Sequence, residues 1–136
     1  MEFDTKLAVV LRDDLAAWQK ANVTAFVVSG IAATTAGIVG PDYEDGSGNR
    51  YQPMFVQPVQ VFETDAAGLK RAWRRALERD VKPAIYTSDL FSTMNDEDNR
   101  AAVNAVQAVD LDLVGLALRA ERKLVDKILD KVRRHP

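Results

Sequence analysis

The sequence predicts an α/β fold: a three-layer sandwich in which a four-stranded mixed sheet carries helices on both faces. Three observations lead there. Short apolar, β-branched runs recur at residues 6–12, 56–63, 81–87 and 113–118. Between and after them lie stretches whose apolar residues recur at three- and four-residue spacing, the helical period. Strands that alternate with helices are joined by crossovers, and crossovers place helices against the sheet on either side.

Lys6-Leu-Ala-Val-Val-Leu-Arg12 is apolar toward both faces and closed by charge, as an interior strand is. A helix is expected from about residue 22 to 35. It is apolar around most of its circumference, so either another layer or a second copy of the chain is expected to cover it on more than one side. Asp45-Gly46-Ser47-Gly48-Asn49, between Tyr43 and Tyr51, reads as the turn of a hairpin or an exposed loop. Residues 56–63 alternate as a strand, and Pro58 suits an edge or a strand beginning.

Leu69, Trp73, Ala76 and Leu77 mark a helix over residues 65–79 with Asp65 as its cap; Lys70, Arg71, Arg74 and Arg75 form the opposite face. Residues 81–87 form a strand that runs into Ser88-Asp89. A helix over residues 95–107 opens on Asp96-Glu97-Asp98, which complements the positive end of its dipole. The strand Leu113-Val-Gly-Leu-Ala-Leu118 and a helix marked by Leu124, Val125, Ile128, Leu129 and Val132 complete the chain.

With 136 residues, 47% hydrophobic and 28% charged, the chain is one domain spanning 1–136, and disordered, collagen-like and disulfide-scaffold classes are excluded. There is no cysteine, which removes thiolate chemistry and fits a reducing, cytoplasmic compartment. The single histidine, His135, stands next to the last residue and reads as a solvated tail group. A histidine metal pair is thereby excluded and a Ser-His-Asp triad disfavoured. Residues 21–41 carry no charge, but Asn22, Thr24, Ser29, Thr34 and Thr35 interrupt the apolar run, so no membrane span is expected. No secretory signal opens the chain. Net charge is -2, and the basic faces Lys70-Arg71-Arg74-Arg75 and Lys123-Lys127-Lys131 lack interleaved aromatics, so a nucleic-acid partner is not expected. No motif names a phosphate, metal or cofactor, and none is expected.

Ligands of open α/β sheets sit at the carboxyl ends of strands. The first strand ends in Arg12-Asp13-Asp14 and the third in Thr87-Ser88-Asp89, so two acidic loops are candidates to face one crevice. Close carboxylates can divide acid and base roles or hold a cation; equally, Asp13, Asp14 and Asp89 can cap turns. Asn22 and Ser29 are two helical turns apart and share a face, where they either meet a ligand or satisfy backbone groups.

Ala8-Val-Val-Leu-Arg-Asp-Asp-Leu15 and Leu113-Val-Gly-Leu-Ala-Leu118 followed by Leu124-Val-Asp-Lys-Ile-Leu129 resemble the opening strand and the closing strand and helix of the peptidyl-tRNA hydrolase 2 fold. Over nearly the whole chain, Arg12-Asp-Asp-Leu-Ala-x-Trp-Gln19, Asn22-Val-Thr-Ala-Phe26, Asp96-Glu-Asp-Asn-Arg100 and Asp112-Leu-Val-Gly-Leu-Ala-Leu118 resemble an uncharacterised bacterial family of unknown function with that same fold. The hydrolase resemblance implies an acid and a threonine at Asp89 and Thr93. It also places Asn22 where the hydrolases have a lysine, Ser29 where they have a histidine, and Asp112 where they have a threonine. Replacing the lysine removes a cation for a phosphate or ester, and replacing the histidine removes a proton carrier that works near neutrality.

The expectation is a protein that binds a small or polar ligand in a crevice lined by Arg12, Asp13, Asn22, Ser29, Asp89, Thr93 and Asp112. Two alternatives stand beside it. One is a hydrolase of peptidyl-tRNA or another acyl ester, with Asp89 and Thr93 orienting a water and Arg12 near the leaving group. The other is a homodimeric interaction module built on the uncharged helix.

Overall fold

The computed structural model describes residues 3–136. The central strand β1 (Thr5–Arg12) is followed by helix α1 (Ala17–Thr34) and a small hairpin of β2 (Tyr43–Glu44) and β3 (Arg50–Tyr51). Strand β4 (Val59–Thr64) and helix α2 (Ala66–Glu78) follow, then β5 (Ala84–Thr87), which runs directly into a 3-10 turn at Ser88–Ser92. Helix α3 (Asp96–Asn104) and a second 3-10 turn (Ala108–Asp110) lead to β6 (Leu113–Glu121), α4 (Arg122–Ile128) and β7 (Arg133–Arg134).

The main sheet has the order β5-β6-β1-β4-β7. Strand β1 pairs parallel with β4, from Leu7 opposite Val59 to Arg12 opposite Thr64. It pairs antiparallel with β6 on its other side, and β5 is antiparallel to β6. The α/β class and the mixed sheet are as expected, but the sheet has five strands, not four. The fifth, β7, pairs Arg134 with Phe62 and Arg133 with Glu63. Two consecutive arginines carry no apolar alternation, so the strand is set by the edge it meets.

Alternation along β1 divides the core. Ala8 and Val10 face Phe62, Leu69, Leu116, Leu118, Val125 and Ile128, the side covered by α2 and α4. Val9 and Leu11 face Val23, Val27, Tyr86, Val114 and Ala117 on the α1 side. Leu7, Ala8, Val9 and Val10 are fully buried, each of the larger ones stabilising by about 1.5–3 kcal/mol relative to exposure. Asp65 caps α2 by accepting from the Gly68 amide at 2.8 Å, and Asn95 caps α3 by accepting from the Asp98 amide at 2.8 Å. In the hairpin turn Asp45 accepts from the amides of Ser47 and Asn49 and from the Tyr51 hydroxyl, which holds its carboxyl well below the usual range.

Two expectations are corrected on α1. The helix begins at Ala17, ahead of the expected residue 22, and no other layer of the same chain covers its outer side. Only Val23 and Val27 are fully buried, while Trp18 is 63% and Phe26 53% exposed. The outer face is uncharged and largely apolar where a surface helix usually carries charge, so hydrophobicity alone imitates burial. The close approach of α1 to the sheet depends on Gly115 of β6, where a Cβ would lie 2.4 Å from Cγ1 of Val23.

His135 is not a solvated tail group. Its amide donates to the Val61 carbonyl at 2.9 Å, and its Nε2 lies 2.9 Å from Lys20 Nζ and 3.4 Å from Glu63 Oε2. Glu63 explains this placement: its side chain is 8% exposed, and a buried carboxylate needs partners. Lys20 at 3.6 Å, Arg133 at 2.5 Å and His135 supply them. The end of the chain is thus folded back onto the edge of β4, and the closing helix stops at Ile128, short of the expected Val132. Lys131, at φ 68°, turns the chain toward β7. No helix among the described residues is long and apolar enough to cross a membrane.

Candidate functional site

The residues singled out in the sequence fall into separate places. At the end of β1, Arg12 donates from Nε to Asp14 at 2.7 Å and from one terminal nitrogen to Asp112 at 2.8 Å and to the Leu113 carbonyl at 3.2 Å. Burial works against the guanidinium charge, but the two carboxylates outweigh it and raise the pKa further. The Ser88 hydroxyl holds the Asp112 carboxyl below its ordinary value; burial opposes this, and Arg12 reinforces it. The group is a satisfied tie between β1 and β6, with Ser88 donating its amide to the Asp112 carbonyl at 2.9 Å.

Asp13 is exposed, and its amide donates to the Thr64 carbonyl at 2.9 Å, extending the pairing of β1 with β4. Asp89 is exposed on the 3-10 turn after β5. Neither lines the cleft described next. Among the described residues, no group of three or more histidine, aspartate or glutamate side chains is placed to hold a metal ion.

Asn22, Ser29 and Thr93 do come together, along a cleft between α1, β5, the 3-10 turn and α3. One lobe, of about 620 Å³, is bounded by Phe26, Ser29, Gly30, Tyr86, Asn99 and Asn104 among others. A second lobe, of about 300 Å³, shares Phe26, Tyr86, Leu90, Asp96 and Asn99 with it and adds Trp18, Asn22, Phe91 and Thr93. These volumes are those of small-ligand sites.

The local sequence explains the cleft's composition. Trp18, Asn22, Phe26 and Gly30 follow one another at four-residue intervals on α1, so they form one stripe along the helix. Strand β5 contributes Tyr86, and the turn after it contributes Phe91 and Thr93. Four rings consequently meet in a chain: Trp18 and Phe91 edge to face at 5.8 Å, Phe91 and Tyr86 tilted at 5.1 Å, and Tyr86 and Phe26 edge to face at 5.9 Å between centroids. Gly30 leaves the larger lobe open, since a Cβ there would meet nothing within 4 Å.

The polar groups are neutral or already paired. Asn22 donates to the Tyr86 hydroxyl at 3.3 Å. Burial raises the Tyr86 pKa, against the hydrogen bond from Asn22, so the phenol remains a donor at neutral pH. The Thr93 hydroxyl contacts the Leu90 carbonyl at 3.0 Å and the Asn99 side chain; the Ser29 hydroxyl donates to the Phe26 carbonyl at 2.6 Å. Asp96 and Arg100 pair with each other along α3. A ligand would meet aromatic faces and carboxamide edges, with no free charge concentrated on it.

The family model described as a protein of unknown function, DUF2000, matches residues 5–136. The chain belongs to the DUF2000 family. The resemblance to an uncharacterised family of unknown function is therefore confirmed. A solved structure similar to this DUF2000 chain is that of a protein of unknown function, Atu0240, from Agrobacterium tumefaciens strain C58. The two are 47% identical, with 99% of this chain and 100% of that one covered and a TM-score of 0.96. No functionally curated protein matches.

For this DUF2000 chain the sequence reading missed Trp18, Phe26, Tyr86, Phe91, Asn99 and Asn104. A signal was present for two of them: the four-residue recurrence of Trp18, Asn22 and Phe26 is visible in the sequence. Tyr86 and Phe91 carry no such mark, because their meeting depends on the sharp turn directly after β5.

Proposed function

We propose that this DUF2000 protein binds a small, neutral, ring-bearing ligand in the cleft between α1 and α3. The observation that carries the reading is the continuous wall of four aromatic rings beside the carboxamides of Asn22, Asn99 and Asn104. Rings offer stacking faces, and carboxamides offer a donor and an acceptor side by side, the pattern that suits a heterocycle with amide-like edges. Asn22, Ser29 and Thr93 belong to this reading as ligand-binding residues, whereas Arg12 and Asp112 serve it by fixing the strand ends.

A hydrolase would need Asp89 and Thr93 on one water with Arg12 near the leaving group. Arg12 is already held by Asp14 and Asp112, and Thr93 is already bonded, which favours binding over hydrolysis. The four-stranded core β5-β6-β1-β4 between α1 on one face and α2 and α4 on the other supports a peptidyl-tRNA hydrolase 2-like fold. A cytoplasmic setting accords with the absence of cysteine.

The test uses Trp18 as reporter in a Trp73→Phe background, titrated with nicotinamide, adenine and uracil. Saturable quenching by at least one of them is expected, abolished by Gly30→Leu, which fills the open lobe, and weakened by Tyr86→Phe. No quenching by any of the three, or an unchanged response in Gly30→Leu, refutes the proposal. A second reading, a homodimer across α1, is favoured by the exposure of Trp18 and Phe26 on an uncharged face. Light scattering that gives a monomer mass removes it.

A further inference from the structure

Where β5 begins and β6 ends, sharing no residue with the cleft, an open depression of about 420 Å³ is lined by three cations from three segments. Arg79 follows α2, Lys82 precedes β5, and Arg119 projects from β6. Asp80 is the only acid lining it, so three positive charges against one negative leave a local +2 on a chain whose net charge is -2.

Arg119 is the informative member. Its Nε donates to Oε1 of Gln57 at 2.8 Å, and Gln57 is itself buried and donates to the Thr5 carbonyl at 3.3 Å. The guanidinium is therefore oriented through one nitrogen, and its two terminal nitrogens make no hydrogen bond or ion pair among the described residues. Lys82 likewise has no carboxylate within ion-pair distance among them, whereas Arg79 pairs loosely with Glu78 at 4.0 Å and donates to the Arg75 carbonyl at 3.4 Å. A half-buried, pre-oriented arginine without a counter-ion is costly to retain unless an anion completes it, and its planar fork fits two oxygens of one oxyanion. Lys82 adds a point charge to the lining of the same depression. The carbonyl end of α1 at Thr35 also borders the depression and opposes an anion, so any attraction must come from the three cations.

We infer that the depression formed by Arg79, Lys82 and Arg119 is a binding site for a phosphate group, either free phosphate or the end of a phosphate monoester. Phosphate takes two parallel bonds from Arg119 and the charges of Arg79 and Lys82, and the depression leaves room for an ester substituent on the solvent side.

The experiment follows backbone amide shifts of Thr35 and Lys82 in the isotopically labelled full chain, titrated at constant ionic strength with inorganic phosphate, glycerol 3-phosphate and, as control, chloride. Saturable shifts with a dissociation constant of about 1 mM or tighter are expected with phosphate and not with chloride. Arg119→Lys keeps the charge but loses the fork and should weaken binding at least about tenfold, and Lys82→Ala, at an exposed position, at least about threefold. Tighter binding of the monoester marks an ester site and equal binding a free-anion site; either supports the inference. Non-saturating shifts, an equal response to chloride, or unchanged affinity in Lys82→Ala overturns it. The aromatic cleft takes no part in this titration, so the two proposals fail separately.

Discussion

Gly115 sets the distance between α1 and the sheet, and replacing it with alanine tests that role. The added Cβ would lie 2.4 Å from Cγ1 of Val23, 3.4 Å from the Val10 carbonyl oxygen and 3.5 Å from Cδ2 of Leu11. Real Cβ contacts do not come so close to a methyl group, and Val23 is fully buried. Either α1 lifts or Val23 leaves its rotamer, and overpacking of this kind costs about 1–3 kcal/mol. For a chain of this size that corresponds to a melting temperature lower by roughly 4–10 °C. Val23→Ala alone removes two buried methyl groups and should cost about 1–3 kcal/mol. The decisive comparison is the double variant. Trimming Val23 makes room for the methyl at position 115, so the pair should be less destabilised than the sum of the singles by at least about 1 kcal/mol. Urea unfolding of the four proteins gives the coupling directly. Additive losses would mean that the helix is not held at its distance by this contact, and the account of α1 packing would be wrong. Because α1 carries Trp18, Asn22 and Phe26, the Gly115→Ala variant should also lose ligand-induced quenching that the double variant recovers.

Asp112→Asn should destabilise the protein at neutral pH and leave it unchanged at low pH. The carboxyl is depressed below its unfolded value, so its contribution is complete above the ordinary carboxylate range and disappears as pH falls through the lower folded value. Acid-unfolding curves of wild type and variant should converge at the acid end; a constant offset would contradict the assignment. Deletion of residues 133–136 removes β7 and two of the three partners of Glu63, leaving Lys20. Arg133 is largely exposed, which limits its share, so a loss of about 1–3 kcal/mol is expected, with faster amide exchange at Val61 and Glu63. An unchanged melting temperature would refute a stabilising role for the strap.

The elements that were legible are those whose signal is local. The strand at Thr5–Arg12 holds an unbroken apolar run from Leu7 to Leu11, and Asp65 is a cap by chemistry alone. The features that escaped are those defined by a partner. Strand β7 is two arginines and exists because β4 has an edge with a buried glutamate on it. The outer face of α1 is open although its residues are apolar, since hydrophobicity records what a side chain prefers and not whether a neighbour is there. Arg12 was legible as a charged strand end, but its capture by Asp112, a hundred residues away in sequence, requires the β1–β6 pairing. The site was half visible for the same reason: the α1 stripe is local, whereas Tyr86, Phe91 and Asn99 join it only through the turn after β5.

The chain folding back along β4 also limits what the sheet can do between molecules. On that side the outermost strand is two residues long, and both are arginine, so a neighbour finds little backbone to zip onto and a repelling charge. The other border, β5, is four residues long and is bounded on its free side by the cleft. A filament that grows sheet to sheet needs two adhesive borders on every unit. Among the described residues the main sheet offers at most one, so edge-to-edge association of that sheet through β5 ends at a closed pair and cannot propagate.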